Sequence, residues 1–307
     1  MLLLIPLLLY PAGANKNRIP TSTDRHLKLI PTMKVSPLLQ LLLALLAVSQ
    51  VAGQTDTDIL NFALSLECLE AQFYSCAATG QPLSAELTAN GPAPIGCKKA
   101  NLTVPFQLYA NEIAQDETNH VKLLRGALGS AAVPCPLVDI GPAFGAAANA
   151  AFNKTLIPPF DPYANNIFFL HGGFIFEDVG VTAYAGAAPL ITSKDYLGTA
   201  ARILAVEAYH AAILRTLLSQ IANVTVVPYG VQVYQIVDAI SKLRGTVDGS
   251  NGQDDQGIIF NGTVNLVPTD NNGLVFTRTA AQVLPIVYLG GKGGGGFFPD
   301  GLNGSIK

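Results

Sequence analysis

The sequence predicts an all-α protein whose centre is a four-helix bundle, made of two antiparallel hairpins joined by a crossover. Three observations indicate this fold: four long helical segments, a short connection within each pair of segments, and a longer connection between the pairs. We place the bundle at residues 54–225. A C-terminal extension at residues 226–307, with short helices and a glycine-rich hairpin, is expected to pack on it.

The first 53 residues have the character of a targeting region. A signal peptide is predicted at about residues 33–53, where Lys34 precedes an apolar run that ends in small residues. That run is short for a membrane span, and no span is predicted in the mature chain. Without residues 1–53 the chain has 13 Lys and Arg against 20 Asp and Glu. This acidic balance, without a basic stripe, argues against nucleic-acid binding.

Sequons and cysteines also indicate a secreted protein of the extracellular space or cell wall. Five N-x-[ST] sequons follow the signal, which predicts a glycoprotein; they begin at Asn101, Asn153, Asn223, Asn261 and Asn303. Four cysteines remain, an even number in an oxidising compartment. Cys68 and Cys76 lie on one predicted helix about 12 Å apart and cannot bridge each other. A Cys76–Cys97 disulfide is favoured, and Cys68 as a buried free thiol is the alternative.

The helices are predicted in order from periodicity and end signals. The first spans about 56–79 with Asp56 or Asp58 as its cap, and the second spans about 104–127. The third spans about 162–187 and the fourth about 194–220, after Ser193. The connection at 128–161 contains an Ala-rich piece that predicts a short helix, and further short helices are expected at 230–244 and 276–288.

Two Glu–His pairs recur on the second and fourth helices. The chain has seven Glu and four His, yet Glu117/His120 and Glu207/His210 both have the E-x-x-H spacing. Positions i and i+3 share one helical face, so each pair points where its aliphatic neighbours point. The flanking residues match as well: Ile and Leu occupy the same offsets around both pairs, at Ile113, Leu124, Ile203 and Leu214. The pairs are therefore predicted to face the core.

The first and third helices repeat a second pattern. Glu67 precedes Tyr74 by seven residues, and Glu177 precedes Tyr184 by seven. Because of this parallel, we choose Glu67 rather than Glu70, and Glu177 rather than Asp178, as the candidate ligands on these two helices. Four carboxylates and two imidazoles facing one another require cations between them, and two iron ions, or manganese as the alternative, suit that ligand set.

Alternatives remain for these residues. A buried Glu–His pair is commonly a structural hydrogen bond, so the six groups could form a polar network without metal. Glu70 and Asp178 are candidates for outer-sphere hydrogen bonding or for substitute ligands, and Asp116 for surface or outer-sphere contact. His171 is expected to pack. Tyr74, Tyr184 and Tyr209 are interpreted as core aromatics, with redox or proton transfer as the other interpretation.

Several segments resemble a known family. They include "LNFALSLECLEAQFY", "PPFDPYANNIFFL", "VPYGVQVYQIVDAISKLR" and the terminal "GGFFPDGLNGSIK". These are similar to desiccation-related proteins of plants and related stress proteins of algae and fungi, within the ferritin-like superfamily. The resemblance covers about residues 56–307. It implies that Glu67 and Glu177 are terminal ligands, that Glu117 and Glu207 bridge, and that His120 and His210 each bind one metal.

Three functions follow from these expectations. The first is a secreted stress protein with a di-metal centre that acts on oxygen or peroxide, as an oxidase or peroxide scavenger. The second is a non-catalytic glycoprotein that protects the drying cell wall or apoplast, with cell-wall glycans or a second copy as partner. The third, an iron-storage subunit, is least favoured because five sequons and an extension fit a closed shell poorly.

Overall fold

The computed structural model describes residues 53–250, 252 and 254–307. The predicted signal peptide lies outside the described residues, apart from Gly53. The α-helices are α1 (Asp56–Thr79), α2 (Val104–Leu128), α3 (Pro142–Phe152), α4 (Asn166–Ala187), α5 (Lys194–Gln220), α6 (Val233–Val247) and α7 (Ala280–Val287). Short 3-10 turns at Gly129–Ala131 and Ala188–Leu190 follow α2 and α4.

The two long hairpins of the bundle are α1 with α2 and α4 with α5, as predicted. The crossover, which contains α3, returns the chain to the end where α2 begins. There the Asn101 N–H donates to the Tyr163 carbonyl, and the Thr103 N–H donates to Asn166 Oδ1. The first turns of α2 and α4 therefore lie side by side.

Helix α1 begins at Asp56, as predicted, but its N-cap lies one residue before the first predicted cap. Thr55 is the N-cap, and Asp58 completes a capping box with it. Asp56 instead accepts hydrogen bonds from the backbone N–H groups of Thr192 and Ser193 at the start of α5. The expectation that Asp56 or Asp58 is the cap itself was wrong, because Asp56 joins the start of α1 to the start of α5 and Asp58 is the N3 partner of the Thr55 cap.

Other helix starts also differ from the prediction, among them that of α7, which begins at Ala280 rather than near residue 276 because Thr279 caps it. Helix α4 starts at Asn166 rather than near residue 162, because residues 161–164 form a turn and Asn165 caps the helix. Helix α6 starts at Val233 rather than near 230, because Val231–Gln232 (β2) pairs antiparallel with Thr225–Val226 (β1).

Two disulfides fasten α1 to the loops around it. Cys76–Cys97 joins the end of α1 to the following loop, as predicted. Cys68 is not a free thiol, because it is bonded to Cys135 in the crossover. Both bonds are consistent with an extracellular protein.

The C-terminal extension is joined to the bundle through buried arginines. Arg215 Nη1 of α5 and Arg244 Nη2 of α6 donate to Asp178 Oδ2 of α4, at 2.8 and 3.1 Å. Arg278 donates to Asp248 and Asp255 in the polar loop before the hairpin of Ile259–Phe260 (β3) and Thr263–Val264 (β4). The Arg244–Asp178 ion pair thus holds the extension on α4, and Arg215 of α5 donates to the carbonyls of Gly257 and Asn265 in the extension.

The chain ends in turns that fold back on α7. The glycine-rich segment predicted as a hairpin or flap has one antiparallel bridge, between Gly295 and Phe298. Phe297 is 1% exposed and its ring lies 4.8 Å from that of Phe176 on α4. The segment therefore closes one side of the core.

Candidate metal centre

The six predicted ligands meet inside the bundle. Glu117, Glu177 and Glu207 are fully buried, and the other three are at most 7% exposed: Glu67, His120 and His210. They come from α1, α2, α4 and α5, so each long helix contributes at least one. The flanking aliphatic residues predicted to share their faces, Ile113, Leu124, Ile203 and Leu214, are buried as well.

Their ligand atoms form two overlapping sets. Glu67, Glu117, His120 and Glu207 form one, and Glu117, Glu177, Glu207 and His210 form the other. Within each set the ligand atoms lie within 4.8 Å of one another. Glu117 and Glu207 belong to both sets. The two buried clusters are consistent with a site for two metal ions that share two carboxylates.

Around His120, carboxylates approach one ring nitrogen from three helices. Nδ1 lies 3.2 Å from Glu67 Oε2, 3.2 Å from Glu117 Oε2 and 3.7 Å from Glu207 Oε1. Tyr184 donates its hydroxyl to the other oxygen of Glu67. The Glu67 carboxylate is thereby held between α2 and α4.

His210, like His120, has carboxylates close to one of its ring nitrogens. Its Nδ1 lies 2.9 Å from Glu117 Oε1 and 3.5 Å from Glu177 Oε2. The Nε2 lies 3.2 Å from Asp116 Oδ2, a half-exposed carboxylate on α2. A carboxylate on the distal nitrogen fixes the ring and its tautomer, as is usual for metal-binding histidines. Asp116, expected at the surface or in outer-sphere contact, orients His210.

Several of these inward atoms have no hydrogen-bond partner among the described residues. They are Glu117 Oε1, both oxygens of Glu177, both oxygens of Glu207, and His210 Nδ1. Although His210 Nδ1 and Glu117 Oε1 lie only 2.9 Å apart, they are not aligned for a hydrogen bond. Buried polar atoms are ordinarily satisfied, so a cluster of unsatisfied ones needs an explanation. Cations bound between them would supply it.

Burial and the crowding of carboxylates shift the pKa values of these groups. Burial, followed by the charge of Glu117, raises the pKa of Glu67 to about 8. Burial also raises the pKa of Glu207 well above its usual value, with the neighbouring carboxylates adding to the effect. Burial alone would lower the pKa of both histidines, but the carboxylates raise it to about 10 for His120 and about 12 for His210. In the absence of metal, protons bound to these groups therefore reduce the negative charge of the cluster.

The absence of a side chain at Gly180 makes room for the Glu207 carboxylate. A Cβ built on Gly180 of α4 would stand 2.1 Å from Glu207 Oε2 and 3.4 Å from Glu70 Oε1. Any side chain there would displace the Glu207 carboxylate. Sequence reasoning missed this residue, because the only signal for it is a glycine inside an apolar helix.

The other polar and aromatic residues considered in the sequence lie in different surroundings. Asp178 points to Arg215 and Arg244, so it is not a substitute ligand. His171 is fully buried and packs, with Nδ1 2.8 Å from the Ile167 carbonyl. Tyr74 is buried like Tyr184, but its hydroxyl has no described partner. Tyr209 is 71% exposed, which contradicts its assignment to the core.

Glu70 belongs to the cluster although it is not one of the six. It is 4% exposed, and burial raises its pKa well above normal, with the charges of Glu117 and Glu177 adding to this. The choice of Glu67 over Glu70 came from its spacing to Tyr74, but the tyrosine that contacts Glu67 is Tyr184 of α4.

The donor set fits iron or manganese. Carboxylate oxygens with imidazole nitrogens are the ligands that these ions accept in helical bundles, and two divalent ions balance the charge of four carboxylates. Calcium and magnesium prefer all-oxygen sites, and structural zinc prefers sulfur or nitrogen donors.

Comparison with known proteins places the chain in a family. The family described as ferritin-like domain matches residues 55–220, from the cap of α1 to the end of α5. Desiccation-related protein PCC13-62 of Craterostigma plantagineum is 36% identical over 275 residues, which cover 83% of this chain and 87% of that protein. Ferritin-like catalase Nec2 of Nesocodon mauritianus is 30% identical over 267 residues, 82% of this chain and 85% of that protein. No solved structure matches significantly. The chain therefore belongs to the ferritin-like family and is a homologue of this desiccation-related protein.

Proposed function

We propose that this protein is a secreted, stress-related member of its family that binds two redox-active metal ions, iron or manganese, and acts on peroxide or dioxygen. The observation that carries the proposal is the pair of overlapping buried ligand sets, which share Glu117 and Glu207. The unpartnered oxygens of Glu177 and Glu207 support it further.

Each metal position would have its own ligands. Glu67 and His120 would hold one ion, and Glu177 and His210 the other, with Glu117 and Glu207 between them. This distribution follows the distances around the two imidazoles. The bound ions would supply the capacity to exchange electrons with an oxygen species.

The chain's own groups would prepare this chemistry. Asp116 holds the His210 ring by Nε2, and Tyr184 holds Glu67. Burial of every carboxylate keeps bulk water out, which strengthens each ligand's interaction with a cation. The name of the relative from Nesocodon, a ferritin-like catalase, favours peroxide as the molecule acted on.

The test is metal content of the purified mature protein, measured after exposure to iron or manganese. We expect about two ions per chain, the number expected for this ligand set. The Glu117→Gln/Glu207→Gln double variant should bind far less, and peroxide decomposition should be lost with the metal. Glu112→Gln is the matched control, because Glu112 is exposed on the same helix as Glu117. Equal metal content in wild type and double variant would overturn the proposal.

A non-catalytic protectant is the second candidate. The desiccation-related relative and the two disulfides favour it, since covalent ties help a protein to persist in a drying wall. Cell-wall glycans or a second copy of the chain would be its partners. This function would be unchanged in the double variant, so protection of a test enzyme during drying by both forms distinguishes the two candidates.

A further inference from the structure

A small cavity lies against the candidate metal centre, on the side that the C-terminal extension covers. Its volume is about 20 Å³. The residues around it are buried, and its apolar wall includes Leu66 and Leu69 of α1, Ile175 and Val179 of α4, Ile286 of α7, and Phe297. A bundle without the extension would leave this side open.

The cavity and the ligand cluster share a wall. Glu70 and Gly180 both line the cavity. The same two residues border the Glu207 carboxylate, which lies 2.1 Å from the position of a Gly180 Cβ. A molecule in the cavity would therefore be separated from a proposed bridging ligand only by a glycine backbone and one carboxylate.

The lining selects the kind of molecule that fits. A volume of about 10–15 Å³ is enough for one molecule of water size, but a buried water needs two to four polar partners. Glu70 is the one polar side chain in this wall, and every other side chain that lines the cavity is apolar. An apolar molecule of the same size needs no such partners. Dioxygen has the size and the polarity that this wall accepts.

We propose that this cavity is a dioxygen-binding site serving the metal centre, with Leu69, Val179 and Ile286 as its apolar contacts and Glu70 at its polar end. The inference rests on the proposed function, in which dioxygen is the product of peroxide decomposition or the substrate of an oxidase. The C-terminal extension thereby acquires a role in the chemistry, as the roof of this site.

The experiment uses metal-free, methyl-labelled protein under dissolved dioxygen, whose paramagnetism speeds the relaxation of nearby methyl groups. We expect several-fold larger relaxation enhancement at the methyls of Leu69 and Ile286 than at Leu64 and Ile203, which are also buried but belong to a separate part of the core. Val179→Ile, which adds one methylene to the wall, should abolish the difference while retaining metal binding.

The outcomes separate this inference from the proposed function. Equal enhancement at cavity and control methyls of the wild type would overturn the dioxygen site, whatever the variant does. Enhancement in a protein that binds neither iron nor manganese would support the cavity and overturn the metal centre. Metal content is therefore measured on the same samples.

Discussion

The carboxylate of Glu207 occupies the space where residue 180 would carry a side chain. The nearest approach, 2.1 Å from a Gly180 Cβ to Glu207 Oε2, is shorter than any contact that a real Cβ makes. Helices α4 and α5 can hold Glu207 over the centre only because position 180 has no side chain. The position of the Glu207 carboxylate in the cluster therefore depends on the glycine at position 180.

The first prediction therefore concerns Gly180→Ala. Alanine favours the helix by about 1 kcal/mol, so a local effect alone would stabilise the protein. We expect instead that the new methyl group displaces Glu207 and reduces metal content to at most half of wild type. Gly126→Ala is the control, because Gly126 on α2 has nothing within 4 Å of a Cβ. Undiminished metal content in the Gly180 variant would show that Glu207 is not needed as a ligand.

Replacing a ligand should stabilise the metal-free protein. Glu207 is fully buried, both its oxygens lack described partners, and its pKa is raised well above normal by burial. Keeping that carboxyl protonated at neutral pH costs free energy that Glu207→Gln avoids. We expect its metal-free form to gain about 1–3 kcal/mol in free energy of unfolding and its metal affinity to fall. A metal-free variant that unfolds at lower denaturant than wild type would contradict this.

Local spacing was enough to predict that the six candidate ligands face inward as a group. A spacing of three or seven residues places side chains on one face of a helix, so Glu117, His120 and the Glu67–Tyr74 pair could be assigned before any fold was known. The same apolar residues flank the Glu–His pairs of α2 and α5, so Glu207 and His210 of the second hairpin could be assigned in the same way. The structure brings all six groups together.

Features that depend on distant neighbours could not be predicted in this way. Nothing near Cys68 in the chain indicates Cys135 as its partner, 67 residues away. The role of Gly180 arises from the approach of another helix. Asp178 sits beside a candidate ligand in sequence, but its orientation is set by Arg215 and Arg244, and Arg244 belongs to the extension.

Asp178→Ala should therefore destabilise the fold without removing a ligand. It would leave Arg215, fully buried, without its ion-pair partner. Removing one member of such a pair costs about 3–5 kcal/mol. The half-exposed ion pair of Lys98 and Asp161 serves as the control. Lys98→Ala should lower the free energy of unfolding by at most about 1 kcal/mol. Denaturant unfolding of both variants checks this, and equal costs would refute the assigned role of Asp178.

The two disulfides should contribute unequally to stability. Cys68–Cys135 closes a loop with a sequence separation of 67, and Cys76–Cys97 one of 21. In the chain-entropy treatment these loops stabilise by about 4 and about 3 kcal/mol. Cys68→Ser/Cys135→Ser should therefore lower the free energy of unfolding more than Cys76→Ser/Cys97→Ser does. The opposite order, measured by urea unfolding, would mean that contacts of the folded state outweigh loop closure.

The stability of the metal-free protein should fall as the pH rises. Glu67 keeps its proton up to about pH 8, whereas the same group in the unfolded chain has its ordinary pKa of 4.5. Between these values the folded state binds the extra proton, so raising the pH lowers the free energy of unfolding. His120 acts in the same direction, because its pKa rises from an ordinary 6.5 to about 10 in the folded protein. Glu117, with a lowered pKa, acts oppositely but only under acid conditions.

Bound metal should reduce this dependence, because the cations take the place of the protons and their binding releases them. We expect the Tm of the metal-free protein to drop steadily from about pH 5 to about pH 9, and the Tm of the loaded protein to change much less. Thermal unfolding of both forms in matched buffers measures the difference. Parallel curves for the two forms would mean that the buried carboxylates and imidazoles do not exchange protons for metal, and the centre would then have to be sought elsewhere in the chain.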